Sequence, residues 1–279
     1  MVIARCGRRN LPGNLWFGTR TLNDFKRHRA QEPSNNTDPS AATAGVHYCM
    51  KGHVAPSPFN SQSLIAMRRI LCLHGSGSSA KIMESQIANI RSHFPSPYTF
   101  DFLDSPVECK AAAELEGVYP GPYYCFFEKH SEEEMQKAID FVREIVEEDG
   151  PYACVIGFSQ GASVAAAYIA QQQQSGSFED EPFKVAVFLC AALIPPQIAT
   201  DDELVNTIGS LGPIDISTVH VIGRKDPCAP QSLELVKSCT QNTAQVLLND
   251  GSHDIPRDAI MTKNIAASIE RALRQAFQG

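Results

Sequence analysis

The 279-residue chain has no C-x-x-C pair, no stretch near the ~20 consecutive apolar residues that cross a bilayer, and no apolar run of the secretory type at its N-terminus. It also has no excess of basic charge. Each absence excludes a class of function. Nine cysteines are an odd number, and Cys72, Cys154 and Cys190 lie inside apolar runs where a thiol behaves as a small hydrophobe, so neither a disulfide framework nor a structural zinc is expected. Twenty-four Lys and Arg against 31 Asp and Glu give a net charge of -7, which offers phosphate backbones and acidic membranes nothing to bind. No nucleic acid partner and no membrane insertion follow from that balance, and a cytoplasmic protein is expected. The turn His74-Gly75-Ser76-Gly77-Ser78 is followed by no P-loop Lys and completes no G-x-G-x-x-G, so no nucleotide cofactor is indicated. There is no internal repeat. With 43% of its residues hydrophobic and 20% charged, the chain can bury a core, and its length suits one large α/β domain.

Charge is unevenly divided along the chain. Residues 1–66 hold eight Lys and Arg against Asp24, Glu32 and Asp38, which leaves 16 bases against 28 acids in the rest. From Glu32 to Ser63 the leader is rich in Asn, Pro, Ser and Thr without a helical or strand period, the composition of a disordered segment that stays off the core. Its first 29 residues are Arg-rich and nearly free of acids, as mitochondrial transit peptides are, yet they contain no Ser and are interrupted by Pro12, Gly13 and Gly18. A dispensable tail or a misassigned start at Met1 is the plainer reading, since Met67 opens the folded pattern directly. The domain boundary is therefore placed at residues 67–279.

From Arg69 onward, apolar runs alternate with helical patterns, the signature of a mostly parallel sheet with helices on both faces. Strands are expected at Arg69 to Leu73, Thr99 to Leu103, Ala153 to Gly157, Lys184 to Cys190, Thr218 to Gly223 and Gln245 to Leu248. Helices are expected after the Gly-rich turn to about His93, and at Gln160 to Gln173, Gln231 to Ser238 and Arg257 to Phe277. Ser131 with Glu134 forms a capping box for a further helix, carried by Met135, Ala138, Ile139, Val142, Ile145 and Val146 until Gly150-Pro151 stops it. The segment from Ser105 to His130 has no regular period but is rich in aromatics, which suits a lid or pocket wall as well as it suits a satellite core. The loop from Ala191 to Pro213 is a candidate for the opposite wall.

The chemistry is carried by Gly157-Phe158-Ser159-Gln160-Gly161. This G-x-S-x-G follows an apolar strand and opens an Ala-rich helix, the context of a nucleophile elbow, and the tightness of that turn explains a Gly on each side of Ser159. A serine hydroxyl needs a base oriented by a carboxylate. Asp226 and His253 each follow a later strand, so both reach the sheet edge that carries Ser159, and the order Ser, Asp, His is that of the α/β-hydrolase fold. Asp250 and Asp254 compete with Asp226 but rank below it, because a carboxylate so near His253 in a short loop reaches its Nδ1 with difficulty. An oxyanion hole is expected from the backbone N–H groups of Gln160 and Ser76, with His74 and Gly75 shaping the second loop. Rates are expected to rise with pH through the pKa of a lightly perturbed histidine, about 6.5.

The runs Arg69 to Gly75, Asp104 to Pro106, Gly121 to Tyr124, Gly157 to Ala162, Gly223 to Pro227 and His253 to Pro256 resemble a family of serine hydrolases. That family includes the ovarian-tumour-associated hydrolase and the fungal thiohydrolases of polyketide gene clusters, and the resemblance runs from about Met67 to Phe277. It implies hydrolysis of carboxylic esters or thioesters without metal or organic cofactor, with Ser159 as nucleophile, Asp226 as acid and His253 as base. In the fungal branch it implies release of a polyketide acyl chain from a carrier protein, which makes the acyl-carrier domain of a polyketide synthase a candidate partner. The alternatives are a general short-chain carboxylesterase and a non-catalytic ligand-binding protein on the same fold.

Overall fold

The computed structural model describes residues 69–95, 98–176, 182–192 and 213–277, together with the backbone of 28–29. The expectations for the rest of the leader and for residues 193–212 of the candidate wall loop lie outside the described residues. Five-residue strands form where the sequence is continuously apolar or alternates: β2 (Arg69–Leu73), β3 (Thr99–Leu103), β6 (Cys154–Phe158) and β7 (Val185–Leu189). β8 (Ser217–Gly223) and β9 (Ala244–Asn249) complete the parallel set. The order across the sheet is β1-β3-β2-β6-β7-β8-β9, in which only β1 (His28–Arg29) runs antiparallel, on the free edge of β3. The leader therefore does not stay wholly off the domain: an open edge strand presents unpaired N–H and C=O groups, and these two residues pair with them.

Because side chains alternate along a strand, each strand feeds two cores. Ile70, Cys72, Phe100 and Ile156 face one side, where they pack on α1 (Ala80–Gln86), α2 (Ala88–Arg91) and α6 (Ala259–Ala276). Leu71, Leu73, Val155 and Phe188 face the other, against α3 (Glu132–Asp149), α4 (Gln160–Gln174) and α5 (Ala229–Lys237). The buried stripe of α3 is Met135, Ala138, Ile139, Val142 and Ile145, as its 3.6-residue period requires. Its N-terminus is capped on one side only, since Ser131 Oγ accepts from the Glu134 N–H at 3.2 Å while the Ser131 N–H turns to the Lys129 carbonyl. Glu134 instead approaches Lys137, so the reciprocal half of the capping box is replaced by a surface ion pair.

The segment between β3 and α3 is more ordered than its composition suggests. β4 (Val107–Cys109) and β5 (Tyr123–Cys125) form a separate antiparallel pair. Three-residue strands are too short for a period of two to be legible. The chain leaves β2 outward to β3 and later returns to β6 on the other side of β2, so the loops after β2 and β6 diverge and open a crevice at their carboxyl ends. No described helix is long and apolar enough to cross a membrane.

Candidate active site

Ser159 sits directly after β6 with φ 52° and ψ -117°, outside the regions that non-glycine residues prefer, a strain of about 1–3 kcal/mol that the surrounding packing must hold. The flanking glycines make that possible. A Cβ on Gly157 would lie 2.5 Å from Ala162 Cα, and one on Gly161 would lie 2.3 Å from the Leu73 carbonyl oxygen. The turn thus presses α4 against the end of β2 and lifts the Ser159 hydroxyl above the sheet edge.

His253 Nε2 lies 2.8 Å from Ser159 Oγ. Its Nδ1 faces both carboxylate oxygens of Asp226, at 2.9 and 3.0 Å. Asp226 is buried and also accepts the Cys228 N–H at 2.7 Å, so its orientation is fixed from two sides. The two competing carboxylates lie elsewhere, for Asp250 pairs with Arg224 at 3.3 Å and Asp254 borders a cavity. Phe158 packs on the His253 ring with centroids 5.4 Å apart, which limits its rotation.

The loop after β2 is built around a histidine that stays neutral. His74 is fully buried; its Nδ1–H meets the Gly75 carbonyl at 2.6 Å, and its Nε2 accepts from the backbone and hydroxyl of Ser105, each at 3.1 Å. Burial lowers its pKa to about 4. Gly75 touches Phe158 and Ser159 so closely that a Cβ would come within 2.9 Å of the Phe158 ring. Ser76 is exposed at this loop and borders a cavity of about 550 Å³ together with Ser78, Leu115, Phe158 and His253. Gln160 opens α4, where the Ser159 carbonyl accepts the Ala162 and Ser163 N–H groups and leaves the Gln160 and Gly161 N–H groups without an intrahelical acceptor. Its side chain turns away from the cavity: Oε1 accepts the Phe126 N–H and Nε2 donates to the Phe127 carbonyl, both at 2.8 Å.

The serine hydrolase (FSH1) family model matches residues 63–265. Esterase FPY3 of Fusarium mangiferae is 33% identical over 221 residues, covering 76% of this chain and 99% of its own. Esterase FUS5 of Gibberella fujikuroi is 32% identical, covering 74% of this chain and 87% of its own. The chain belongs to the FSH1 serine hydrolase family. Among solved structures, the Paleococcus ferrophilus monoacylglycerol lipase superposes with a TM-score of 0.52 at 13% identity, covering 75% of this chain and 94% of that one, a likeness of fold alone. The fold is that of the α/β hydrolases, and this FSH1 member is an ester-hydrolysing enzyme.

Two cysteines lie near the hydrogen-bonded chain, a placement that had no signal in the sequence. Cys228, partly exposed at the start of α5, contacts His253, and Cys190 directly follows β7 with φ 45°. Burial alone favours the neutral His253 ring, but Cys228 and the Asp226 carboxylate outweigh it and raise the pKa to about 9. That corrects the expectation of a value near 6.5: the contacts with Cys228 and Asp226 are formed only by folding. Among the described residues one group, Cys190, Asp226 and His253, brings metal-ligand atoms within 4.8 Å of one another. Burial pushes the Cys190 thiol up to about 12, and its S–H donates to the Asp254 carbonyl at 3.5 Å. A thiolate ligand is therefore costly there, and the group is better suited to moving a proton than to holding a cation.

Proposed function

We propose that this esterase acts through Ser159 as nucleophile, His253 as general base and acid, and Asp226 as the group that orients the ring, and that its substrate is an acyl thioester of a carrier protein. The observation that carries the reading is the unbroken chain of contacts, 2.8 Å from Ser159 to His253 and 2.9 Å from His253 to Asp226, at the crevice of the sheet. His253 Nε2 takes the hydroxyl proton as Ser159 Oγ attacks the acyl carbonyl carbon, and Asp226 stabilises the imidazolium. The negative charge that develops on the carbonyl oxygen is met by the N–H of Gln160 and the N–H of Ser76, aided by the positive end of α4. As the tetrahedral intermediate collapses, the C–S or C–O bond breaks. His253 returns the proton to the leaving group, a service that an alkoxide needs and a thiolate scarcely does. A water molecule then attacks the acyl-serine with His253 again as base, which releases the acid and restores Ser159.

Thioester release in secondary metabolism is supported by the similarity to the fungal esterases and by the size of the cavity beside His253, about 550 Å³. An acetyl or butyryl group would leave most of that volume unfilled, which favours a longer acyl chain over a general short-chain carboxylesterase. The test is a fluorophosphonate probe followed by paired assays. Label should attach to Ser159 and be lost in Ser159→Ala, which removes only one oxygen and should fold as the parent does. Acyl-carrier thioesters should be hydrolysed with higher kcat/KM than p-nitrophenyl esters of the same acid; equal or lower values would leave an esterase without a carrier partner.

A further inference from the structure

We infer that the Ser78 hydroxyl and the Gln86 side-chain amide are specificity determinants that read oxygen substituents along the acyl chain. The inference rests on the Ser159 reading above and deepens it. Ser78 is 2% exposed, yet its Oγ has no hydrogen-bond partner among the described residues, and Gln86 Oε1 is likewise buried and unpartnered. Both residues border the cavity beside His253. An orphaned buried polar atom costs about 1–3 kcal/mol, and two of them on one cavity wall point to partners that arrive with the ligand. The wall mixes apolar surface from Leu115, Val118, Phe158 and Ile255 with the polar Glu114, Tyr119 and Arg257, and neither orphaned oxygen is paired with any of them.

The two groups are held by the turn before α1 and by the last residue of α1 itself. The Ser78 backbone exchanges hydrogen bonds with Tyr124, 3.3 and 2.7 Å, and Ser79 Oγ caps α1 by accepting the Ile82 N–H. Asp104 accepts the Ala80 N–H at 2.7 Å, which anchors the same turn. Gln86 ends α1, so at 1.5 Å per residue it lies roughly 9 Å along the helix axis from Ala80, the first helical residue after the Ser78 turn. A bare hydrocarbon chain would leave both groups unpaired. An oxygen close to the reacting carbonyl can accept from Ser78, and a hydroxyl further along can donate to Gln86 Oε1. A site built to pair with substrate hydroxyls discriminates strongly against the analogue that lacks them, because its own buried groups are then stranded.

The experiment measures kcat/KM of the full chain on three N-acetylcysteamine thioesters: octanoyl, 3-hydroxyoctanoyl and 7-hydroxyoctanoyl. The hydroxylated chains should be preferred about 10- to 100-fold over octanoyl. Ser78→Ala should collapse the preference for the 3-hydroxy chain and Ser78→Thr should retain it, while Gln86→Leu should collapse the preference for the 7-hydroxy chain. The readout is the ratio within each variant, so a general loss of folding or rate cancels. Ratios near one for the parent enzyme, or ratios unmoved by both substitutions, would overturn the inference and leave the Ser159 reading standing. Persistence of hydrolysis in Ser159→Ala would instead overturn that reading, whatever the ratios.

Discussion

At the scale of single residues, the site asks one histidine to be neutral in an environment that favours its charged form. On the proposed mechanism His253 accepts the proton of Ser159, but Cys228 and Asp226 outweigh burial and raise its pKa from the ordinary 6.5 to about 9. At pH 7 about one molecule in a hundred then carries the neutral ring. The value of kcat/KM should accordingly rise about tenfold per pH unit from pH 6 to 8 and level above about 9. A profile flat from pH 5 to 8, with chemistry shown to be rate-limiting, would remove His253 from the role of base. Asp226→Asn deletes the anion and the tautomer control together, so kcat should fall by about 10³–10⁴ and the remaining profile should shift to lower pH. His253→Ala should cost at least as much, because it removes the group that handles the proton. Ser159, Asp226 and His253 were legible in the sequence because each directly follows an apolar strand and the sheet brings those ends together. Cys228 was not, since its place beside His253 follows from the turn in which its N–H donates to Asp226, a geometry that no spacing marks.

At the scale of elements, the elbow is a joint between β6, α4 and the end of β2, and its glycines are where crowding is most severe. Gly161→Ala would push a methyl group to 2.3 Å from the Leu73 carbonyl, a backbone atom that cannot swing aside. The loss should be about 1–3 kcal/mol or more of stability, read from the urea midpoint, with activity lost as Ser159 is displaced. A Gly161→Ala enzyme of parental stability would mean that the turn is looser than described here. Gln160 illustrates the complementary case. Its side chain ties the elbow to Phe126 and Phe127 beyond β5, so Gln160→Leu should strand the Phe126 N–H and cost about 1–3 kcal/mol while leaving the Gln160 N–H at the site. Long elements such as α3 and β8 were readable because several turns or repeats average out single exceptions. β4, β5 and the bracing by Gln160 were not, because a three-residue strand carries no period and a side chain bonded to a distant backbone leaves no local mark.

At the scale of the whole molecule, the contribution of the residues before Met67 and the protonation of two buried histidines can be tested separately. A chain beginning at Met67 should fold and turn over substrate, since the described contact of the leader is the two-residue β1 on the edge of β3. Loss of soluble, active protein on that truncation would show that the leader covers the β3 edge in earnest. The pH dependence of stability is set from inside. His74 and His220 are buried with pKa values lowered to about 4, in both cases because burial disfavours the charged ring. A histidine whose folded pKa lies below its unfolded value of about 6.5 contributes stability that is present above 6.5 and is lost as the pH falls from 6.5 through 4. His253 acts in the opposite direction: raised to about 9, its contribution is present below 6.5 and is lost as the pH rises through 9. On these three groups the Tm should pass through a maximum near pH 6.5, while kcat/KM is still climbing toward 9. His253→Gln removes the alkaline loss and should flatten the Tm profile between pH 7 and 9 without touching its acid limb. Thermal scans of the parent and of this variant at pH 4.5, 6.5 and 9 test the assignment, and an acid limb absent in both would show that His74 and His220 ionise freely inside the folded protein.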